Sequence, residues 1–338
     1  MSGVPLLRHS HLRLLLVSAI LLGTWVNAIP DREPVGHGAQ SSGIDSDLPL
    51  ERSAFSGQRA FLVLLRDGAH QSATGVGQTI AIIDGGFDLG HEAIDAAAVG
   101  DHFDFIDGDT DVSEAKDGID QDGEDGPDSM FGHGTAVASL IADLAPDAGL
   151  LLYRAMDEEG VAPAVNVEQA ILRAIGNNAT VINISVVFDV DHGGVRHAVE
   201  AAAAAGIAIV APAGNEGGTV AAYPGAYDET ICVAGTTLSD ELAAGQTNGP
   251  DVDIVAPGEE LVVALIGSLA DYAEAVGSSY ASAFAAATAA LIREVDPLLD
   301  PGQIRSRLRD TAVDIGLDPE DQAAGRCGLR IDMTAAVE

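Results

Sequence analysis

From Gly77 onward the chain alternates short β-branched runs with longer helical stretches, and this alternation constrains its fold more than any other feature. Strands that are apolar at every position must be covered on both faces, and helices between successive strands supply the cover. Strands are expected at Thr79–Ile83, Leu150–Arg154, Val181–Ile184, Ile207–Ala211, Glu229–Ala234 and Asp253–Ala256. Helices are expected to begin at His133, Val167, Gly194, Ser279 and Pro301, and the Ala-rich run Ala198–Ala205 is a good helix former. The predicted class is α/β, a doubly wound, mainly parallel sheet with helices on both faces. Such sheets bind ligands beyond the carboxyl ends of their strands. Asp84 and Ser185 each directly follow a strand, and Asn215 follows another after a short turn. They should gather at one edge, joined by the helix starts at His133 and Ser279.

Composition narrows the function. The chain has 338 residues, of which 47% are hydrophobic, too many for a disordered chain. The length allows two domains or one large α/β domain. Acids number 52 and bases 16, giving a net charge of −36. That surface repels phosphate backbones, so nucleic acid is excluded as a partner. Lys116 is the only lysine. Adaptation to salty or acidic surroundings and codon bias with a solvated acidic face both account for the skew. Two cysteines exclude a disulfide scaffold and a Cys-rich zinc site. Cys232 lies in an apolar run and Cys327 in a glycine-flanked tail; a disulfide between them and two free thiols both stay open.

Residues 1–28 read as a signal peptide. Arg8 and Arg13 precede an apolar stretch from Leu14 to Trp25, too short to span a bilayer comfortably, and Val26-Asn27-Ala28 is a small-x-small cleavage site. An uncleaved anchor is the competing reading. No later run reaches transmembrane length without charge or glycine, so no integral anchor is expected after signal removal. The expected product is a secreted or periplasmic monomer. Residues 29–76 are polar, patterned only at Ala60–Leu65, and read as a linker or short propeptide remnant. The main domain is expected over 77–338.

Four local contexts carry chemistry. They are Ile80-Ala81-Ile82-Ile83-Asp84-Gly85-Gly86, Gly132-His133-Gly134-Thr135-Ala136, Ala213-Gly214-Asn215-Glu216 and Gly277-Ser278-Ser279-Tyr280-Ala281. Singly each is ordinary: an Asp at a strand end, a Ser at a helix start or an Asn in a Gly-rich turn usually serves structure. Together they fall in the order Asp…His…Ser, which is that of subtilisin and not the Ser…Asp…His of α/β-hydrolases. A Gly-x-Ser-x-Gly elbow is absent, because Ala281 fills its last place. That weighs against an ester- or lipid-directed α/β-hydrolase.

In these motifs and their order the chain resembles the subtilisin-like serine proteases, or subtilases, from about Thr74 to the C-terminus. The resemblance implies a subtilisin-like peptidase domain and a polypeptide substrate, with no required cofactor. It implies a triad of Asp84, His133 and Ser279 with Asn215 in the oxyanion hole, and it places Ser185, Val187 and Gly214 beside the substrate. The alternative is a catalytically inactive subtilase fold acting as a binding protein.

Departures from the family pattern bear on the site. Relatives often carry Thr or Ser after the catalytic Asp, where this chain has Gly85, so a hydroxyl that could bond the carboxylate is missing. A second His often found in the His motif is Ala136 here. The helix after His133 runs on through Ala138–Leu150 without the calcium-binding insertion of many relatives. Residues 101–128 are very acidic, and Asp107, Asp109 and Asp111 alternate as oxygen ligands for calcium can, but Val112 breaks the EF-hand pattern. A solvated acidic loop is the other reading.

Relatives commonly show Ser-Leu-Gly-Gly where this chain has Ser185-Val186-Val187-Phe188. Side chains in place of those glycines narrow the pocket for the residue before the scissile bond. Profiling on short peptides should show small residues preferred over Phe or Tyr there. A clear preference for bulky aromatics would contradict this.

Overall fold

The structure is a computed structural model that describes residues 35–38, 43–120, 127–266 and 271–338. The segment read as a signal peptide lies outside them. Two strands come first, β1 (Val35–Gly38) and β2 (Gly43–Leu50), followed by three short helices, α1 (Arg52–Ser56), α2 (Arg59–Val63) and α3 (Arg66–Ala69). The αβ alternation then begins with β3 (Thr79–Asp84), β4 (Val99–Asp104), α4 (His133–Leu144), β5 (Gly149–Arg154), β6 (Val161–Pro163) and α5 (Ala164–Gly176). It continues with β7 (Val181–Ile184), β8 (Val186–Val187), α6 (Gly193–Ala204), β9 (Ala208–Pro212), β10 (Thr230–Thr236) and β11 (Ile254–Pro257). A hairpin of β12 (Leu261–Ala264) and β13 (Tyr272–Val276) leads into the long helix α7 (Ser278–Val295). Helix α8 (Pro301–Asp310) and the short strands β14 (Val313–Asp314) and β15 (Leu329–Arg330) follow.

Among the described residues, nine strands form the central sheet in the order β14-β15-β11-β10-β9-β7-β3-β5-β4, and every pairing is parallel except β14 with β15. Alternate residues of one strand enter different cores. Ile80 and Ile82 of β3 pack with α4 and α7, whereas Ala81 and Ile83 pack with α5 and α6. The same split divides Leu150 and Leu152 from Leu151 and Tyr153 on β5. This is why β3 reads as an unbroken apolar run: a period-two strand with two covered faces has no polar side.

Helix α7 is buried from Ser278 through Ile292. Its many alanines let it approach the sheet closely, at little cost in helix propensity. Helices α4 and α5 begin at or near the expected residues, and α4 runs without interruption to Leu144.

Two segments differ from the sequence reading. The stretch 52–69, read as part of a linker, is packed into the main core through Phe55, Ala60, Phe61, Leu64 and Ala69. The Phe55 ring stacks on Tyr272 at 4.9 Å, and Phe61 meets Phe284 of α7 edge-on at 6.4 Å. The Gln58 side-chain amide pairs with the backbone of Val262 on β12, donating at 3.0 Å and accepting at 3.2 Å. Its helices are only four or five residues long, too short to show a 3.6-residue period. The second segment is β4, hidden at the start of the acidic stretch. Its acids are matched by arginines from neighbouring elements: Asp101 with Arg173 and Asp104 with Arg154.

Because Phe61 is buried against α7, Phe61→Ala should destabilise the protein by about 3–5 kcal/mol, the usual cost of removing a core aromatic. Chemical denaturation measures it. An unchanged midpoint would mean that this stretch is a linker after all.

Candidate active site

The carboxyl ends of the central strands deliver the site. Asp84 is the last residue of β3, flanked by β5 and β7 and fully buried. His133 is the first residue of α4. The turn before it needs Gly132, whose φ is 90° and where a Cβ would lie 2.9 Å from Ile266 Cγ2. Ser279 is the second residue of α7.

Two of the expected residues share one hydrogen bond, and the residue next to a third lies beside them. The His133 ring and Asp84 are joined from Nδ1 to Oδ1 at 2.7 Å, and the same carboxylate oxygen accepts from Gly85 N–H at 2.7 Å. With Nδ1 as the donor, Nε2 of a neutral ring is the acceptor. The His133 ring lies 5.3 Å from the ring of Tyr280, the residue after Ser279. His133 Nε2 and Ser279 Oγ are both buried without a hydrogen-bond partner, so they do not bond each other in this state. Buried polar atoms left unpaired are costly, and their presence at one spot marks it as built for something other than stability.

Asn215 is tied to the start of α7. It follows β9 after the turn Ala213-Gly214, and its Oδ1 accepts from Ser278 N–H at 3.0 Å. That bond ties the acceptor end of the amide to the start of α7. The NH₂ end is the end that can donate.

Beside Asn215 lies a cavity of about 210 Å³ lined by Val187, Asp189, Gly214, Glu216, Val220 and Ala222, among others. Two residues expected beside the substrate, Val187 and Gly214, line this cavity. Ser185 is fully buried and accepts a hydrogen bond from Asn183 Nδ2 at 3.0 Å, and it is not part of the lining. Phe188 also stays out of the cavity: its backbone pairs with Tyr223 and its ring meets His192 at 4.8 Å. Of the side chains expected to narrow the pocket, only Val187 reaches it. Asp189 and Glu216, which the sequence reading did not single out, add two carboxylates to the wall. Next to this cavity, β1 lies between β6 and β8 and pairs antiparallel with both.

Asp107, Asp109 and Asp111 line one open cavity, but they are not a set whose ligand atoms converge among the described residues. Asp107 pairs with Arg154 at 3.2 Å, Asp109 accepts from Asp111 N–H at 2.8 Å, and Asp111 accepts from Ser113 N–H and Oγ. These carboxylates turn the loop locally. Among the described residues the convergent set is Asp117, Asp128 and Glu158, with one ligand atom from each within 4.8 Å of the others. Three oxygens are a partial ligand set for calcium, which takes six to eight. Asp128 also accepts from Asp117 N–H, and Glu158 from Arg154. Cys232 and Cys327 are free thiols, Cys232 fully buried in a small cluster against which Cys327 packs.

One acid was not distinguishable in sequence from its neighbours. Glu114 is half-buried behind the Asp84 and His133 loops, accepting from Gly132 N–H at 2.6 Å and Gly86 N–H at 3.2 Å. Burial pushes its carboxyl up to about 7 and Asp84 adds to the rise, while the two N–H bonds and Arg154 oppose it.

The strand order and the helices on both faces are those of the subtilisin-like α/β class. Residues 75–328 match the pattern of the subtilase family, and the chain belongs to that family. It is 33% identical over 226 residues to a thermophilic serine proteinase of Bacillus sp. (strain AK1), covering 64% of this chain and 52% of that protein. It is 31% identical over 259 residues to subtilisin E of Bacillus subtilis (strain 168), covering 73% of this chain and 63% of the relative. The chain therefore spans less than two thirds of either relative. In fold it is similar to a protease of Pseudoalteromonas arctica PAMC 21717, with a TM-score of 0.75, 23% identity, and coverage of 84% of this chain and 97% of that one.

The raised Glu114 carboxyl has a consequence for stability. Between its ordinary 4.5 and about 7 the folded protein holds a proton that the unfolded chain releases. Its contribution is thus full below about 4.5 and lost as pH rises through about 7. Glu114→Gln carries no such charge. The Tm of the variant minus that of the wild type should be more positive at pH 8 than at pH 5. The same difference at both pH values would contradict the assignment.

Proposed function

We propose that this chain is an exported serine endopeptidase that hydrolyses peptide bonds through an acyl-enzyme on Ser279. The observation that carries the reading is the 2.7 Å Asp84–His133 bond, with the buried, partnerless Nε2 of His133 and Oγ of Ser279 on adjoining elements. In this reading the two atoms pair in the presence of substrate to complete the row. Catalytic hydrogen bonds are often long without substrate.

The Ser279 oxygen attacks the scissile carbonyl carbon while His133 Nε2 takes its proton. Asp84 holds the imidazole in the productive tautomer and stabilises the imidazolium. Negative charge builds on the carbonyl oxygen, where the Asn215 NH₂ group and the backbone N–H of Ser279 donate, aided by the positive end of α7. Collapse breaks the C–N bond, and His133 returns the proton to the leaving amine. Water then attacks the ester with His133 again as base, restoring Ser279. One such oxyanion donor is worth about 10²–10³ in rate. Calcium at Asp117, Asp128 and Glu158 would brace the acidic loop and supply stability; no step of the chemistry uses it.

Substrate would bind as an added strand. β6 and β8 accept an extended segment between them, as β1 illustrates, and backbone bonds of this kind recognise peptides with little regard to sequence. β1 and β2 are joined by four residues, and β2 pairs with β13, which runs directly into Gly277-Ser278-Ser279. The strands on either side of this four-residue connection thus pair with elements that border the site. This supports self-processing between Gly38 and Gly43. Export is supported by the signal-like residues 1–28 and by relatives named as extracellular, such as the minor extracellular protease Epr of Bacillus subtilis (strain 168).

The test is N-terminal sequencing of exported wild type and Ser279→Ala, with fluorophosphonate labelling and casein hydrolysis of each. Wild type should start between Ala39 and Gly43, take the label and digest casein. Ser279→Ala should keep the upstream residues, take no label and lose activity by about 10⁴-fold or more. Casein hydrolysis that survives Ser279→Ala would overturn the reading.

A further inference from the structure

The residue after Asp84 is Gly85, which offers the carboxylate no hydroxyl, so the loops around Asp84 and His133 must be tied in another way. The structure shows one. A single carboxylate, reaching in from the acidic loop 28 residues further along the chain, bridges the two catalytic loops. Glu114 Oε2 takes the N–H of Gly86, two residues after Asp84, and Oε1 takes the N–H of Gly132, immediately before His133.

The backbone is shaped around this side chain. A Cβ on Gly86 would stand 2.6, 2.7 and 2.8 Å from the Cβ, Cγ and Cδ of Glu114, so nothing larger than glycine coexists with it. At the same place a Cβ on Gly134 would stand 2.6 Å from Gly86 O, which shows how closely the start of α4 abuts the loop leaving β3. The seat is also electrostatically costly. Burial opposes the charge of Glu114, and Asp84 is a like charge nearby, with Arg154 the compensating cation. A side chain held against such opposition, on backbone groups that flank both members of the Asp84–His133 pair, serves alignment better than it serves stability.

We propose that Glu114 is a positioning residue for catalysis: through the N–H groups of Gly86 and Gly132 it fixes the loops that set the Asp84–His133 hydrogen bond. It touches neither substrate nor the reacting atoms. The role rests on the acyl-enzyme reading above and names a part of that machinery specific to this chain. Small misplacements of catalytic groups cost rate far more than they cost binding.

The experiment uses the full chain and measures kcat and KM on a peptide substrate, with kcat expressed per active site titrated to end point by a fluorophosphonate. Glu114→Gln keeps the volume but turns one acceptor into a donor, and should lower kcat about tenfold or more with KM within about twofold. Glu114→Ala should do the same. Adding Gly85→Ser to Glu114→Ala should recover part of the lost kcat by giving Asp84 a hydroxyl partner. The position has room, since a Cβ there meets nothing closer than 3.6 Å. A fall in Tm with kcat per titrated site unchanged would overturn the proposal and leave a structural brace only. No recovery with Gly85→Ser would equally count against it. A wild-type rate that survives Ser279→Ala would instead overturn the acyl-enzyme reading, and the positioning role with it.

Discussion

The structure is arranged around one buried hydrogen bond, between the carboxylate of Asp84 and the imidazole of His133. A carboxylate with no exposure is unfavourable unless donors surround it. Here Gly85 N–H and the His133 ring supply them to one oxygen, and the other oxygen, Oδ2, has no partner. Bringing the two groups together takes the whole doubly wound body. β3 must run in the middle of the sheet to bury Asp84 at its end, and α4 must start in the adjacent crevice to present His133. α7 must then start so that Tyr280, the neighbour of Ser279, lies beside the ring. The unbroken burial of α7 and the split of alternate β3 residues between two cores make that scaffold rigid enough to hold the site.

The parts of this that were legible in the sequence share a physical trait: their signal is local. Thr79–Ile83 is apolar because it is covered on both faces, and Asp84 stands out as the first polar residue after it. His133 and Ser279 are marked by the glycines that their turns require. What was not legible depends on distant partners. β1 and β2 are defined by backbone pairing with β6, β8 and β13, which no residue pattern in 35–50 announces. β4 hides among aspartates whose partners, Arg154 and Arg173, come from other elements. Glu114 is one acid in a run of acids, and only the backbone N–H groups of Gly86 and Gly132 set it apart. The glycine pair after Asp84 was the available clue: it reads as a missing hydroxyl, whereas it is also space for another side chain.

Charge organises the molecule at two scales. The net charge of −36 is a property of the surface and governs solubility and which partners are repelled. Within the folded body individual acids do distinct work. Asp101 and Asp104 anchor β4 to arginines, Asp109 and Asp111 shape a loop, and Asp189 and Glu216 line the cavity beside Asn215. Glu114 bridges the loops that carry Asp84 and His133, and its environment works against the charge that makes its hydrogen bonds strong. An acidic composition therefore carries specific structure that bulk charge conceals.

The central claim is that Asp84 and His133 share a short, water-excluded hydrogen bond through Nδ1. Proton NMR of the folded protein addresses it most directly. A far-downfield ring proton should appear in the wild type, persist in Ser279→Ala and vanish in Asp84→Asn. A spectrum with no such proton in the folded wild type, or one that is indifferent to Asp84→Asn, would contradict the account.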